Sequence, residues 1–473
     1  MDWNLVLPFL LYLSAMVAIG RWFYSRSQTP IDFFLGGRGL NSWAASLSAQ
    51  ASDMSGWLLV GLPGYAYLYG IEALWIAAGL WLGTFLNWKF VAARLRTLTL
   101  SRGNAITLPQ YFANSVGEPA RLLRLISAAF ILIFFLIYTA SGFAAGAKLF
   151  STVLNVSYSA GLLVGAAVII SYTFLGGFLA VSWTDVVQGT IMFFAIIIAP
   201  LLVLVKLGGS ETAARYSAMD SSWKSWIGAA HSGHSGIRLL SLLGWGLGYF
   251  GQPHILARFM AIRSPQQVPI ARRIAMFWVS LSLTGAVCMG LIARLYLSPE
   301  LTGQEAEKAF MIVVRTLAHP FLAGCLLSAV LAAIMSTADS QLLVASSAFV
   351  EDIYHTLRRK SPSTKDLMRI SRAAVLIIAL AALAIAVNPE SGVFDLVSYA
   401  WAGFGAAFGP LVLFSLYRRD VSANGALAGV VVGGSTVLIW KQLSGGFFDL
   451  YEIVPAFLLS SLAIYSVSRW EKR

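Results

Sequence analysis

The stretch SLSAQASDMSGWLLVGLPG at residues 46–64 lies in a segment apolar enough to cross a bilayer, yet it is rich in polar and helix-weakening residues. Its polar members are Ser46, Ser48, Gln50, Ser52, Asp53 and Ser55. Lipid offers no hydrogen-bond partners, so this stretch predicts an unwound helix whose backbone groups are received by protein or by a water-filled cavity. Secondary transporters hold substrate and coupling ion at such breaks, because half-helix ends carry partial charges and freed carbonyls ligate cations. The alternative is a kink in which Asp53 caps the second half-helix.

Composition indicates a polytopic helical membrane protein. The chain has 473 residues, of which 58% are hydrophobic and 11% charged, and its mean hydropathy is +0.75. In soluble proteins about a quarter of the residues are charged. The net charge of +12 does not indicate nucleic-acid binding, because the cations are confined to short loops between apolar segments, as the positive-inside rule describes.

Thirteen segments are long enough to cross about 30 Å of hydrocarbon. They lie near residues 3–24, 39–69, 70–97, 121–150, 157–177, 182–207, 238–257, 268–297, 318–354, 367–388, 395–417, 424–443 and 450–469. Basic residues concentrate in alternate loops, near 21–26, 94–124, 258–273, 358–372, 418–419 and 469–473. These loops are predicted to be cytoplasmic, which places the N-terminus outside and the C-terminus inside.

A second interruption is predicted at LGWGLGYFGQPH, residues 243–254, where four glycines and one proline make a continuous helix unfavourable. Each glycine costs about 1 kcal/mol and proline about 3 kcal/mol in a helix interior. The two breaks fall in spans 2 and 7, so five spans separate equivalent positions and the direction through the membrane reverses. Spans 2–6 and 7–11 are therefore predicted to be inverted-topology repeats with a site between them near the membrane midplane.

The predicted organisation has five parts: an N-terminal helix and cytoplasmic loop, a first repeat, an external loop, a second repeat, and two C-terminal helices with a cytoplasmic tail. They comprise residues 1–38, 39–207, 208–237, 238–417 and 418–473.

The ninth span carries small and hydroxyl residues at helical spacing: Ala329, Ala333, Ser336, Ser340 and Ser347. Such a stripe often serves only close helix packing. However, Ser336 and Thr337 are adjacent hydroxyls one turn after Ala333, and together with carbonyls freed at the first break they would offer a hard cation several oxygen ligands without a carboxylate. This pattern favours a monovalent cation.

A group of acidic residues is predicted to lie deep within the membrane: Asp53, Asp185 and Asp339, with Glu72 nearer the outer face. Charges at this depth are expensive and functional by default. Asp185 is equally consistent with a functional role and with a structural one, as a cap or as a partner for an arginine near the cytoplasmic interface. Asp339, together with Ser340 and Asp185, is hypothesised to surround a second cation or a proton.

Four aromatic residues, Trp57, Tyr138, Trp245 and Tyr249, lie toward the middle of their spans. Aromatic residues are often interface anchors or core filler. Beside the first break they would form an apolar slot for a small ring with an ammonium group, through cation–π attraction of about 0.5–2 kcal/mol. Backbone N–H groups at Ser55 and Gly56 would receive a carboxylate. These residue types favour an amino acid over a sugar.

The chain resembles the sodium:solute symporter family, and within it the members that carry proline. The resemblance covers nearly the whole chain. It rests on the stretches FFLGGRGLNSWAASLSAQASDMSGWLLVGLPG, GGFLAVSWTD, LGWGLGYFGQPHILARFMA, MSTADSQLLV and VSYAWAGFGAAFGP. It implies an all-α leucine-transporter-like fold with a 5+5 inverted repeat, one extra helix before the repeats and two after them. The implied function is sodium-coupled uptake of L-proline across a bacterial inner membrane.

The resemblance also implies site residues. Sodium would be bound by the carbonyls of Ala51, Met54 and Ala333 and by the hydroxyls of Ser336 and Thr337. Proline would lie among Trp57, Tyr138, Trp245 and Tyr249, close to Ser55 and Gly56, with Asp53 required for sodium coupling. The chain departs from the family pattern at Asp339, where serine is usual, so the cation stoichiometry is left open.

Other functions remain to be weighed against proline uptake. Within the same class are symport of pantothenate, a sugar or sialic acid, and coupling to protons. A channel would need a continuous polar stripe on several helices, and a solute sensor would carry a cytoplasmic signalling domain, whereas this chain ends at Arg473 just beyond its last span. An enzyme is not expected, because no set of nucleophile, base and orienting residue can be assembled.

Overall fold

Helices account for the regular secondary structure of the part of the chain that the structure describes, apart from one parallel bridge between Leu40 and Ile262. The computed structural model describes residues 2–24, 29–117, 120–173, 177–227, 235–357, 364–388 and 392–472. The end of the fifth predicted span at 174–176, part of the predicted external loop at 228–234 and the basic linker at 358–363 lie outside the described residues.

The helices are α1 (Trp3–Tyr24), α2 (Pro30–Leu35), α3 (Ser42–Met54), α4 (Gly61–Tyr69), α5 (Ala73–Leu86), α6 (Ala93–Ser101), α7 (Leu108–Val116), α8 (Arg121–Leu154), α9 (Tyr158–Thr173) and α10 (Phe178–Ala218). They continue with α11 (Ser235–Gly244), α12 (Pro253–Ala261), α13 (Val268–Tyr296), α14 (Ala309–Leu317), α15 (Pro320–Ser347), α16 (His355–Leu357), α17 (Thr364–Ala386), α18 (Val393–Tyr417), α19 (Ala423–Trp440) and α20 (Ile453–Trp470). Two π-helical segments, Asn87–Ala92 and Ala348–Tyr354, join α5 to α6 and α15 to α16.

Ten helical stretches among the described residues are long and apolar enough to cross a membrane, and Tyr158–Ile170 forms a shorter apolar helix. The chain is therefore a multi-pass membrane protein. The count of thirteen spans is not reproduced by this criterion, because the interrupted helices are divided into short halves. One 46-residue stretch, Gly56–Ser101, also joins α4 to the helices of the next predicted span.

Both predicted interruptions are present in the structure. The first begins later than the polar run suggests, because residues 46–54 are still helical in α3 and the chain unwinds only from Ser55. The second consists of a 3-10 segment, Trp245–Gly251, and an extended residue, Gln252, between α11 and α12. We call α3 with α4 the first broken helix, and α11 with α12 the second broken helix.

Close approach of backbones holds the second broken helix against α5. A Cβ atom added at Gly246 would lie 2.2 Å from the carbonyl oxygen of Gly79, and one at Gly83 would lie 2.2 Å from the carbonyl oxygen of Gly246. No side chain fits at either contact. The glycines expected to weaken the helix therefore also allow it to touch its neighbour.

The centre of the bundle is α15, which packs against α1, α3, α8 and α10. Its polar residues Ser336, Thr337, Asp339 and Ser340 are all buried. A helix buried on every face needs small or internally bonded polar residues where its neighbours approach, which accounts for the stripe seen in the sequence.

Two connections contain helix where the sequence suggested loop. Helix α10 continues past its kink at Gly208 (φ 71°) as far as Ala218, so residues 208–218 of the expected external loop are helical. The connection before α15 contains α14 and a 3-10 segment, Gly303–Lys308. Both are amphipathic or polar pieces that dock on the bundle, and the hydropathy pattern of the spans does not detect them.

Candidate functional site

The first broken helix is interrupted at Ser55, whose backbone has φ 51° and ψ −171°. A non-glycine residue with positive φ costs about 1–3 kcal/mol and persists where the surroundings fix it. The Ser55 hydroxyl accepts a hydrogen bond from the backbone N–H of Trp57 at 3.0 Å, which caps the 3-10 turn Gly56–Leu58. The serine thus stabilises the break with its own side chain, and carbonyls at the end of α3 lose their helical partners.

Hydroxyl groups of α15 converge on the end of α3. The Ser336 hydroxyl lies 2.8 Å from the carbonyl oxygen of Ala51 and 3.1 Å from that of Ala333. The Thr337 hydroxyl lies 3.5 Å from the same Ala51 oxygen. Four of the five residues predicted to bind sodium are therefore brought together, Ala51 from α3 and the other three from α15. These neutral oxygens suit a hard monovalent cation.

Met54, the fifth predicted sodium ligand, ends α3 and lines a small cavity beside this cluster. The cavity has a volume of about 10 Å³, which is the space of one water molecule. Its lining combines both broken helices with α5, α8 and α18: Asp53, Met54, Trp57, Leu80, Tyr138, Trp245, Tyr249 and Trp401. All four aromatic residues predicted from the sequence are therefore brought together.

Asp53 is tied to two of these aromatic residues. The Tyr249 hydroxyl donates to the Asp53 carboxylate at 2.7 Å, and the Tyr138 hydroxyl donates to the Asp53 carbonyl at 3.2 Å. Asp53 is 4% exposed. The carboxylate thus links the two broken helices, at the residue before Met54.

Two tryptophan rings close the cavity on one side. The ring centroids of Trp57 and Trp245 are 5.3 Å apart, and Phe394 lies 5.2 Å from Trp245. The Trp57 indole N–H is buried without a hydrogen-bond partner, so it is available to an acceptor that enters. A second cavity of about 390 Å³ lies beyond these rings. It is lined by Tyr65, Trp245, Phe394, residues of α11 and α18, and the connection between α19 and α20.

Ser55 and Gly56, expected close to substrate, do not line the cavity. A Cβ added at Gly56 would lie 3.0 Å from the Cβ of Ala145 and 3.1 Å from a side-chain carbon of Ile334. Gly56 therefore faces α8 and α15. Leu80 and Trp401 complete the lining. The Trp401 indole N–H donates to the Trp245 carbonyl at 2.7 Å. Sequence reasoning missed it, although it lies in the quoted stretch VSYAWAGFGAAFGP.

Asp185 and Ser340 are brought together by Arg258, which was counted among loop cations but is fully buried in α12. The Arg258 guanidinium donates to the Asp185 carboxylate at 3.1 Å and also bonds the Ser340 hydroxyl. Ser48 completes the group, donating to Asp185 at 2.6 Å and accepting from Arg258 at 3.0 Å. Of the two structural roles considered for Asp185, the arginine partner is the arrangement found. Asp339, the preceding residue to Ser340, is buried in α15.

The arginine-rich end of the bundle is closed where the two broken helices meet. Leu40 and Ile262 form the parallel bridge, and the Arg96 guanidinium donates to the Ile262 carbonyl at 2.6 Å. Arg38 donates to the carbonyls of Met260 and Ala105 at 2.8 and 2.7 Å. Hydrogen-bonded backbone therefore closes this end of the bundle, whereas the small and the larger cavity both have Trp245 in their linings.

Comparison with known proteins gives one consistent family. The family model described as "Sodium:solute symporter family" matches residues 33–433. A relative from Salmonella typhimurium named sodium/proline symporter is 49% identical over 465 residues, covering 97% of this chain and 92% of the relative. A relative from Bacillus subtilis named high-affinity proline transporter PutP is 46% identical over 455 residues, covering 96% of this chain and 95% of the relative.

Among solved structures, a Na⁺-coupled sialic acid symporter in a substrate-bound outward-open state matches with a TM-score of 0.83. The match covers 99% of this chain and 98% of the other, at 19% identity. At that identity the likeness concerns the fold, which is an all-helical arrangement shared with transporters of the leucine-transporter type.

Proposed function

Since this chain belongs to the sodium:solute symporter family, we propose that it takes up L-proline together with sodium by alternating access. Membership makes it a transporter and not an enzyme. The relatives named for proline transport, at 46–49% identity over nearly their full length, support the substrate. The geometric observation that carries the proposal is the contact of Ser336 with the Ala51 carbonyl one turn from an aromatic cavity.

The proposed topology has thirteen spans with the two five-span repeats inverted relative to each other. Each repeat then begins with one of the two broken helices, and the small cavity lies where they meet. The N-terminus lies outside and the C-terminus inside a bacterial cytoplasmic membrane, because the arginine-rich loops follow the odd-numbered spans. The larger cavity beyond Trp245 and Phe394 then faces outward.

Sodium would bind among the carbonyls of Ala51, Met54 and Ala333 and the hydroxyls of Ser336 and Thr337. The cation would replace hydrogen bonds that now join α3 to α15 with stronger ion–dipole contacts, and so hold the two helices together. This fixes the end of α3 from which Asp53 and Trp57 reach the substrate. Sodium and substrate would thereby raise each other's affinity, as a coupling free energy between two sites requires.

Proline would occupy the aromatic cavity. A space of about 10 Å³ is too small for it, so binding requires the rings of Trp57 and Trp245 to separate. The secondary ammonium group would then lie against aromatic faces, and the carboxylate would be received by the free indole N–H of Trp57, which lines the cavity. A sugar would leave several hydroxyls without partners in so apolar a lining.

The test is counterflow of labelled proline into proteoliposomes, with and without sodium, in competition with pantothenate, sugars, sialic acid and other amino acids. We expect proline alone to compete strongly and sodium to be required. Uptake that is unaffected by removing sodium contradicts the proposed coupling ion, and stronger competition by another solute contradicts the substrate. A sensor that does not transport would bind proline without counterflow.

Trp245→Ala should reduce the affinity for proline roughly 30-fold, because a buried aromatic anchor contributes about 2 kcal/mol to binding. Equilibrium binding of labelled proline to purified protein, at saturating sodium, measures this. Trp470→Ala is the matched control, since Trp470 is 77% exposed at the end of α20. Equal proline affinity in the wild type and Trp245→Ala would remove Trp245 from the site.

Asp339→Ser should leave proline binding nearly unchanged while altering the dependence of uptake on sodium or on pH. The reason is that Asp339 lies in α15 beyond the Ser336–Thr337 pair and does not line the small cavity. Initial uptake rates over a matrix of sodium concentrations and pH values measure the effect. If both dependences are the same as in the wild type, Asp339 has no role in a second cation or proton site.

A further inference from the structure

An apolar groove runs along the outer surface of the bundle between α3, α10 and α13. Each helix contributes residues one turn apart, so that the groove follows the helix axes. The lining residues are Trp43, Leu47, Thr190, Phe193, Phe194, Arg273, Ile274, Phe277 and Trp278, and the volume is about 440 Å³. It is larger than the small cavity at the candidate site and is unconnected with the proposed transport path.

The groove is built from a closed floor and open walls. Leu47 and Trp278 form the floor and are nearly buried, whereas Trp43, Phe194 and Phe277 form the walls and are each more than half exposed. The Trp278 indole N–H donates to the Gly189 carbonyl at 3.0 Å, which fixes the floor between α10 and α13. An apolar groove on the surface of a membrane-spanning bundle is suited to the hydrocarbon chain of a lipid.

One end of the groove carries a cation without a partner. Arg273 lies in the second turn of α13 and is exposed, and among the described residues it makes no hydrogen bond, ion pair or ring contact. The adjacent Arg272 differs, because its guanidinium lies 5.6 Å from the centre of the Phe85 ring. The arrangement of one unpaired cation at the mouth of an apolar groove is complementary to an amphiphile with an anionic head.

We propose that this groove binds an anionic phospholipid of the leaflet at the arginine-rich face, with its phosphate at Arg273 and one acyl chain between α3, α10 and α13. Basic residues at the ends of membrane helices attract such headgroups. A bilayer provides this ligand at high local concentration without a soluble partner.

The bound lipid would act on the proposed sodium site, and this part of the inference rests on the proposed function. Gly189, one residue before Thr190 in the groove, packs so closely on α3 that an added Cβ would lie 3.3 Å from the Cβ of Ala51 and 3.6 Å from the Leu47 carbonyl oxygen. A lipid acyl chain that fills the groove would press α3 against α10 and hold the Ala51 carbonyl toward Ser336. Sodium affinity should therefore be higher in anionic lipid.

The binding test uses purified full-length protein and phosphatidylglycerol, with retention of the lipid measured by native mass spectrometry. Arg273→Gln should weaken retention about fivefold, the effect of one basic residue at a membrane surface. Thr190→Trp, which places a ring in the groove from an exposed position, should also displace the lipid. Arg272→Gln, beside Arg273 in α13, is the control for charge, and Leu281→Trp, at an exposed position of α13, is the control for added bulk.

Equal losses for Arg272→Gln and Arg273→Gln would overturn the proposal, because they would indicate general electrostatic attraction. Undiminished retention in Thr190→Trp would also overturn it. Equally strong retention of phosphatidylcholine would contradict the assigned headgroup. If a single-chain fatty acid displaced the bound lipid as effectively as phosphatidylglycerol does, a phospholipid occupant would be contradicted. This measurement involves no transport, so its failure is distinguishable from failure of the proposed function.

The coupling test compares the sodium concentration for half-maximal proline uptake in vesicles of phosphatidylcholine and in vesicles with added phosphatidylglycerol. The wild type should need less sodium in the anionic vesicles, and Arg273→Gln should lose this difference while Arg272→Gln keeps it. If the wild type shows no difference although it retains the lipid, the link to the sodium site is wrong.

Discussion

Ser336→Ala should raise the sodium concentration needed for half-maximal proline uptake roughly 30-fold. The substitution removes one proposed ligand oxygen and also leaves the buried Ala51 carbonyl without its 2.8 Å partner. Loss of a buried polar partner costs about 1–3 kcal/mol, and 2 kcal/mol corresponds to this change in affinity. Proline affinity at saturating sodium should change much less, because Ser336 does not line the aromatic cavity.

The matched control is Ser328→Ala. Ser328 is also a buried serine of α15, but its hydroxyl donates to the Gly324 carbonyl of the same helix at 2.7 Å. Thr337→Ala should have a smaller effect than Ser336→Ala, since its hydroxyl lies farther from Ala51, at 3.5 Å. Sodium dependence is read from initial uptake rates in proteoliposomes. A Ser336→Ala variant with the sodium dependence of Ser328→Ala would place the ion elsewhere.

Arg258→Met should be the most destabilising single substitution proposed for this protein. It leaves the Asp185 carboxylate, which is fully buried, without its cationic partner, and breaking a buried ion pair in this way costs about 3–5 kcal/mol. The hydroxyls of Ser48 and Ser340 also lose a donor. The expected result is a large fall in the thermal unfolding temperature of the detergent-solubilised protein, with little protein recovered from membranes.

The double variant Arg258→Met with Asp185→Asn distinguishes a structural ion pair from a cation site. If the pair is structural, the second change removes the stranded charge and restores much of the stability lost in Arg258→Met, and sodium dependence stays near that of the wild type. If Asp185 instead ligates a second sodium ion, the double variant should be stable and lose part of its sodium dependence. Equal instability of the single and double variants would show that the charge balance is not the cause.

Polarity and hydropathy were sufficient to predict the class of the protein and the position of its two broken helices. The polar run at residues 46–55 and the glycines at 243–254 carry local information, because lipid cannot satisfy a polar backbone and clustered glycines with a proline weaken a helix. The resemblance added the residues of the ion and substrate sites. The structure gathers most of them at one place, although Gly56 faces α8 and α15 instead of the cavity.

The partner of Asp185 could not be found by local pattern. Arg258 belongs by sequence to a basic loop, but α12 starts at Pro253 after the second break and carries the arginine into the protein, 73 residues along the chain from Asp185. Local pattern also could not predict that Trp401 lines the cavity or that Arg273 lies at a groove. Such placements depend on how helices distant in sequence pack, which periodicity within one helix does not encode.

Composition and local pattern by themselves therefore determined that this chain is a membrane transporter with two interrupted helices, since bilayer physics acts on each segment separately. Only the tertiary structure decided which charges are paired, which rings close the cavity and which cation is left free at a lipid-facing groove. Those outcomes depend on contacts between helices, because shifting one helix by one turn along its neighbour changes which side chains meet.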